Sequence, residues 1–543
     1  MIFLSTLLLA LLITIAMTPL LSMLAVHFKV AVDLPGERKV HTLPVPRIGG
    51  IAMTVGAFVP LLYWLHADHF VTAYLAAATI LVAFGMLDDA LDIPPRFKFL
   101  GQIIAALVII LAGDVQIRSL GMLLPDGFLL PGFIALPLTL LAIVGATNAI
   151  NLSDGLDGLA GGICLLIFAS IGCLAYLEGN QTIGLIALAL SGVLFGFLRF
   201  NTHPASIFMG DAGSQFLGFS AASLSISLTQ ATPTLSPVLP LILLGFPVLD
   251  TLTVMITRIS KGISPFSADK NHFHHHLMSL GLHHAESVVV IYVFQTLLII
   301  SALLFRYQSD WLLLVEYLGF SAAVLLFFHW ARKKEWRAHH FDFFEVRIAG
   351  RFRLLKREGT AIKRTFPVFV YGISILLFSI CFMARDVPHY LKIAAVPLLV
   401  TIGLIWLFAR QWLGRTLRMT IYLFVPFAVY LSETAPNRWL NGTPHTLYNS
   451  LFGIFAVLIL VISKFSRRTS GFKSSPMDFL IIILAVAVPN LPNNSVLDYQ
   501  YGLVAAKVIM LYFSFEVLLT ELRGKYTVIA GTIMLSLLVL ITR

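Results

Sequence analysis

Three short stretches of this chain set carboxylates close together beside glycine. Asp88 and Asp89 are adjacent in GMLDDALDIPPRFKFLGQ, with Asp92 one turn further on. Asp154 and Asp157 stand three apart in NAINLSDGLDGLAGG, and Asp211 lies in FMGDAGSQFLGF. Neighbouring carboxylates repel and raise each other's pKa unless a cation offsets them. A hard divalent ion, Mg²⁺ or Mn²⁺, suits oxygen ligands and commonly carries substrate phosphates with it. Glycines around Asp154, Asp157 and Asp211 let backbone approach a phosphate closely, as at helix N-termini. A single aspartate at a helix end needs no more than solvation or a capping role. The combination of Asp88–Asp89, Asp154, Asp157 and Asp211 asks for more.

Histidines make the next signal. In TRISKGISPFSADKNHFHHHLMSLGLHH, His272, His274, His275 and His276 fall within five positions. Histidine is a common zinc ligand, but no cysteine accompanies these and the nearest acid is Asp269. Imidazoles also donate hydrogen bonds to a diphosphate, here alongside Arg258, Lys261 and Lys270. The residue set favours the phosphate reading and leaves zinc open. His283 and His284 need no role beyond a solvated loop.

The elements that must position these groups are membrane helices. Of 543 residues, 58% are hydrophobic and 12% charged, against about 45–50% and 25% in soluble domains. That excludes a soluble globular protein, a disordered chain and a nucleic-acid-binding module. Alternating strands of a membrane barrel are missing, and apolar runs parted by short polar loops predict an all-α polytopic membrane protein. Eleven spans are expected near 3–27, 48–65, 70–87, 98–113, 129–150, 159–177, 181–199, 213–231, 236–258, 287–306 and 311–330. About seven more are expected near 366–384, 389–409, 416–431, 447–463, 477–489, 502–521 and 526–541. The N-terminal run is too long, and too weakly flanked, for a cleaved signal peptide and reads as the first span. Cys164, Cys173 and Cys381 sit inside apolar runs as small buried hydrophobes, with no CxxC pair.

Lys and Arg concentrate in alternate loops, from Glu37-Arg38-Lys39 and Arg47 through Arg96, Lys98, Arg258 and Lys261 to Arg523 and Lys525. The positive-inside rule makes that face cytoplasmic and turns both termini outward. Asp88, Asp89, Asp154, Asp157 and Asp211 then all fall on the cytoplasmic side. Charge at membrane depth is costly and marks function. The formal net charge of +10 serves topology and contact with anionic lipid, not nucleic acid.

These motifs, with the loop LPGERKVHTLPVPRIGG and the segment ADKNHFHHHLMSLG, resemble the polyprenyl-phosphate N-acetylhexosamine-1-phosphate transferases. The resemblance covers about residues 1–330, five motifs in one order on one membrane face. The DKNH-x-HH form looks like the branch that begins O-antigen, enterobacterial common antigen or teichoic-acid linkage units, with UDP-GlcNAc the first choice of donor and UDP-GalNAc, UDP-QuiNAc and UDP-FucNAc left open. The related phospho-MurNAc-pentapeptide translocase of peptidoglycan synthesis is the alternative. The resemblance implies a reaction in the bacterial cytoplasmic (inner) membrane. A UDP-N-acetylhexosamine and undecaprenyl phosphate would give undecaprenyl-diphospho-N-acetylhexosamine and UMP, with Mg²⁺ or Mn²⁺ as cofactor. Residue by residue, Asp211 matches the metal ligand, and Asp88 and Asp89 match the acidic pair beside metal and lipid phosphate, with Asp88 the second expected ligand. Asn151, Asp154 and Asp157 match the nucleotide segment, Asp157 nearest the uracil, and Phe208 matches an aromatic that stacks on the base. Lys98 and His41 match polar positions near the phosphates. His272, His274 and His275 match the diphosphate and sugar loop, and the extra His276 leaves its register ambiguous.

The expected organisation is a transferase core over residues 1–330, a basic connector over 331–365 and an added membrane region over 366–543. The connector mixes Arg and Lys with Phe, Trp, Leu and Ile. It reads equally as an interfacial segment on anionic lipid or as a topogenic linker. The last region offers a surface for a partner glycosyltransferase or flippase, or for a homodimer, and the sequence leaves these open. A transporter would carry its acids near the midplane, and an inactive scaffold would show a broken motif; neither description fits.

Overall fold

The computed structural model describes residues 2–33, 44–125, 127–264, 272–337, 360–384, 387–434, 448, 450–452, 454–455, 501–522 and 526–543. The chain divides into two compact units, Met1–His340 and Phe341–Arg543.

The first unit opens with α1 (Ile2–Phe28) and a two-residue antiparallel pair, β1 (Val32–Asp33) against β2 (Val45–Pro46). Then come α2 (Gly49–Trp64), α3 (His69–Leu91), α4 (Pro95–Leu111), α5 (Gly132–Ser153), α6 (Leu159–Leu177), α7 (Gln181–Asn201) and α8 (Gly210–Ala231). It closes with α9 (Leu239–Leu243), α10 (Gly245–Ser260), α11 (Phe273–Ser279), α12 (His284–Leu304) and α13 (Asp310–Lys333). Among the described residues, nine helices are long and apolar enough to cross a membrane: α1, α3, α5, α6, α7, α12 and α13 here, and two in the second unit. The chain is therefore an all-α polytopic membrane protein. At 16 and 17 residues, α2 and α4 are shorter than those nine.

The ninth expected span, 236–258, is not continuous. It divides at Leu244 into α9 and α10. Pro247 has no amide to bond back along the chain, so the ladder cannot run unbroken through this stretch.

At the middle of the unit lies α8, packed on α2, α3, α5, α6 and α9. Its buried residues include many small ones, among them Gly213, Ser214, Gly218, Ser220, Ala221 and Ala222. Small faces let membrane helices approach closely where no hydrophobic effect drives them together. Gly50 of α2 lies directly against the Gly213 backbone, and Gly85 of α3 against Ala212. Both approaches occur one turn from the aspartates, so the same close packing delivers the end of α3 to the start of α8. Farther along this contact, Tyr74 and Ser220 share a buried hydrogen bond of 2.8 Å.

The second unit contains α14 (Thr360–Met383), α15 (His389–Phe408), α16 (Leu413–Thr434), α17 (Tyr501–Leu522) and α18 (Thr527–Thr542). Phe366–Met383 of α14 and all of α15 meet the length and apolarity of a span. The core includes Phe369, Leu377, Leu417, Val425, Phe515 and Ile533. Inside it Lys507, 2% exposed, donates to Glu433 at 2.7 Å and lies 4.2 Å from the Tyr448 ring centroid. The expected spans near 447–463 and 477–489 fall mainly or wholly outside the described residues, as does most of the connector. What is described of the connector is its two ends: Lys333 closes α13 and Thr360 opens α14.

Candidate active site

The end of α3, the start of α4 and the start of α8 bring four charged groups together. Lys98 Nζ lies 2.5 Å from Asp88 Oδ2 and 2.8 Å from Asp211 Oδ2. Two carboxylates from helices far apart in sequence thus face each other across one ammonium. Asp89 has a different task. Its Oδ1 accepts the Asp211 N–H at 2.9 Å and its Oδ2 the Ala212 N–H at 3.1 Å. A carboxylate there offsets the positive end of the α8 dipole and satisfies amides that no helical carbonyl reaches. Gly210 makes the fit: its φ is +74°, and a Cβ would run into the Asp89 carboxylate. Asp89 is therefore the anchor that holds Asp211 beside Lys98, while Asp88 Oδ1 is buried with no hydrogen-bond partner among the described residues. Amides complete the surround: Gln215 donates to Asp211 Oδ2 at 3.3 Å and is itself met by Gln102 at 3.2 Å.

The loop before α8 is fastened to the first motif. Phe208 N–H donates to the Pro46 carbonyl at 2.9 Å, and Gly49 N–H donates to the Phe208 carbonyl at 3.0 Å. Phe208 itself is half-buried. Arg47, between those two contacts, pairs with Asp33 at 2.9 Å and adds positive charge near Asp89 and Asp154.

The turn from α5 to α6 forms the second wall. Asn151 Oδ1 accepts from Ser214 Oγ at 2.9 Å, tying this wall to α8. Burial pushes the Asp154 carboxyl up to about 7, the negative charges of Asp211, Asp89 and Asp157 push the same way, and Arg47 opposes them. Asp157 Oδ2 accepts from Ala205 N–H at 3.1 Å and pairs with His203 Nδ1 at 2.7 Å.

The histidine loop arrives from α11. His272 Nδ1 is 2.9 Å from Asp250 Oδ2, and Asp250 Oδ1 accepts the Phe273 N–H at 2.8 Å. His274 is buried against the α5–α6 turn so tightly that a Cβ on Gly155 would lie 2.6 Å from its Cε1. Burial lowers His274 to about 3, with the charges of His275, His272, His284 and His276 adding to the effect. It is thus a neutral imidazole near pH 7, able to donate one N–H to an anion. His275 is half-buried and tilted against His274, 4.2 Å between ring centroids.

With this geometry in place, the comparisons with known proteins decide the family. The profile of glycosyl transferase family 4 matches residues 71–229. A probable undecaprenyl-phosphate N-acetylglucosaminyl 1-phosphate transferase of Bacillus subtilis (strain 168) is 40% identical over 306 residues, 56% of this chain and 85% of the relative. The chain belongs to glycosyl transferase family 4. Undecaprenyl-phosphate alpha-N-acetylglucosaminyl 1-phosphate transferases of Escherichia coli O157:H7 and Yersinia pestis are 32% and 31% identical, each across 57% of this chain and 86% of their own length.

For this family 4 member, the expected residues divide as follows. Asp88, Asp89, Lys98 and Asp211 form one cluster, with Asn151 joined to it through Ser214. Asp157 forms a second with His203, and His272 and His274 a third around Asp250 and Gly155. Asp89 departs from a free catalytic acid, because backbone amides meet both its oxygens. His41 lies outside the described residues. Three contributors were not legible as site residues: Asp250, His203 and His284. Asp250 did carry a readable signal, being a carboxylate within an apolar run. His284, expected to be bland, reaches the Asp157 backbone amide with its Nε2 at 3.2 Å. Among the described residues, His272, His274 and His275 belong to no group of three converging metal-ligand atoms.

Proposed function

We propose that this chain is a phosphoglycosyltransferase that moves N-acetylglucosamine-1-phosphate from UDP-GlcNAc to undecaprenyl phosphate, releasing UMP, at the cytoplasmic face of a bacterial inner membrane. This would be the first membrane step of a cell-surface glycan, carried by residues 1–330, with 366–543 an added membrane region. Support comes from the relatives' names and from one observation above the rest: Asp88 and Asp211 facing each other across Lys98.

A divalent cofactor fits that observation. The free donors are carboxylate oxygens, which suit Mg²⁺ or Mn²⁺, and the buried Asp88 Oδ1 still lacks a partner among the described residues. Asp211 and Asp88 would hold the ion, and when bound it would neutralise charge on the UDP diphosphate.

Phosphoryl transfer needs positioning and charge neutralisation more than covalent help from protein. A lipid phosphate oxygen attacks the β-phosphorus, the bond from that phosphorus to the bridging oxygen breaks, and the bridging oxygen leaves with UMP. The acceptor is largely ionised at neutral pH, its second pKa being about 6, so no strong base is required. Lys98 faces the phosphates with positive charge, Asp89 keeps the α8 N-terminus in register, and neutral His274 can donate its N–H to a phosphate or sugar oxygen. The test is UMP release by membranes holding the protein, given UDP-GlcNAc with and without undecaprenyl phosphate and Mg²⁺. Release that depends on both is expected. Release with another UDP-N-acetyl sugar alone would overturn the donor, and none with any donor would overturn the activity.

A further inference from the structure

We propose that His203 and His284 are positioning residues that clamp Asp157 from two sides, so that its remaining oxygen, Oδ1, is presented to the nucleotide. The proposal rests on the reading of Asp157 as a nucleotide-binding carboxylate, and it adds the two imidazoles that set this carboxylate's direction.

The clamp is built of hydrogen bonds, with His284 Nδ1 buried and unpartnered among the described residues. His203 Nδ1 donates to Asp157 Oδ2 at 2.7 Å, and Ala205 N–H donates to the same oxygen at 3.1 Å. On the other side Asp157 N–H donates to His284 Nε2 at 3.2 Å. These contacts choose the tautomers: His203 carries a proton on Nδ1, while His284 leaves Nε2 bare. The two rings stack, 4.4 Å between centroids and 25° between planes, so each limits the other's rotation. The next residue is held as well. Gly158 N–H donates to Asn201 Oδ1 at 2.9 Å, and Tyr292 OH donates to the Gly158 carbonyl at 2.7 Å. Asp157 Oδ2 is thereby occupied twice, and among the described residues Oδ1 is the acceptor left for a ligand.

A metal ion is the competing account, because one ligand atom from each of Asp157, His203 and His284 lies within 4.8 Å of the others. Two features favour the clamp. The His284 Nε2 lone pair is taken by the Asp157 N–H, and a nitrogen accepting that bond is not free to ligate an ion. The Asp157 oxygen nearest His203 is also already shared with a backbone amide.

The experiment measures UDP affinity of the full-length protein by calorimetry, together with its zinc content. His203→Ala and His284→Ala are expected to weaken UDP by about tenfold each, the size expected for one hydrogen bond to a charged or oriented group. His203→Asn returns an N–H near the Nδ1 position and His284→Gln returns an acceptor near Nε2, so both should recover most of the affinity. A role in packing alone predicts no such recovery. If the alanine variants do not fold, His203→Gln, whose donor is displaced, makes the same comparison with His203→Asn. Asn and Gln variants as weak as alanine, or stoichiometric zinc in the wild type that His203→Ala removes, would overturn the clamp. Asp157→Asn separates the two readings. Weakened UDP there with normal affinity in both alanine variants defeats the clamp alone, whereas normal affinity in Asp157→Asn defeats the nucleotide reading itself.

Discussion

Lys98→Met should destabilise the ion-free protein and make it lean harder on a divalent ion. Lys98 Nζ lies 2.5 Å from Asp88 and 2.8 Å from Asp211, and without it two carboxylates face each other with no cation between them. Stranding one partner of a fully buried pair costs about 3–5 kcal/mol. Here the Lys98 and Asp211 side chains are 27% and 23% exposed, and water screens part of that, so about 2 kcal/mol is a sound expectation. At roughly 1–2 °C per kcal/mol for a unit of this size, Tm in EDTA should fall by about 2–4 °C. Adding Mg²⁺ or Mn²⁺ should return more of that loss to the variant than it adds to the wild type, because lysine and the ion neutralise the same two carboxylates. Turnover should still fall, by about a hundredfold or more, since a fixed positive charge at a developing phosphate is gone. The assay is thermal unfolding of purified protein with and without the ion. An unchanged Tm in EDTA, or an ion-dependent gain equal to that of the wild type, would refute this account of the cluster.

Other changes test the supports around that cluster. Asp89→Asn leaves one α8 amide without an acceptor; a hydrogen bond to a charged group is worth about 1.5–3 kcal/mol, so UMP release should drop about tenfold to a hundredfold. A normal rate would show that Asp89 does not set Asp211. Asp250→Ala frees His272 and the Phe273 amide together; a hydrogen bond to a charged group is worth about 1.5–3 kcal/mol, so turnover should fall about tenfold to a hundredfold, and Asp250→Asn, able to keep one of the two bonds, should fall less. Asp154 gives a pH test. Unfolded, it releases its proton near 3.8, and folded, near about 7. The folded chain holds the extra proton between those values, so this contribution to stability is full below the lower one and is lost as pH rises to the upper. Tm of Asp154→Asn should therefore decline less across that window than Tm of the wild type; parallel curves would contradict the assignment.

The sequence made some of this plain and hid the rest for physical reasons. Apolar runs report helices directly, so the span expected at 159–177 is α6 residue for residue. The break at Leu244 was signalled only by Pro240, Gly245 and Pro247, weak punctuation inside a strongly apolar stretch. That Asp88, Asp89 and Asp211 form one group could be expected from their shared membrane face. That Asp89 caps α8 could not, because the capped amides lie more than a hundred residues away and depend on the close approach at Gly85. His203 and His284 were hidden likewise, since their partner is an aspartate on another element.

The Lys507–Glu433 pair has a consequence for how the second unit is made. A lysine or an acid entering a bilayer unaccompanied costs about 2.5–3.5 kcal/mol. Glu433 is synthesised 74 residues before its partner, about 4–15 seconds earlier at ordinary translation rates. Until α17 arrives, α16 has to keep this carboxylate in contact with water or with the insertion machinery, and its place one residue from the end of its helix allows that. Lys507 lies six residues from the start of α17 and 2.7 Å from Glu433, so it stands at the same depth and its long side chain can reach the same edge. Each charge can wait at the membrane edge, and their meeting is what lets both be withdrawn from water.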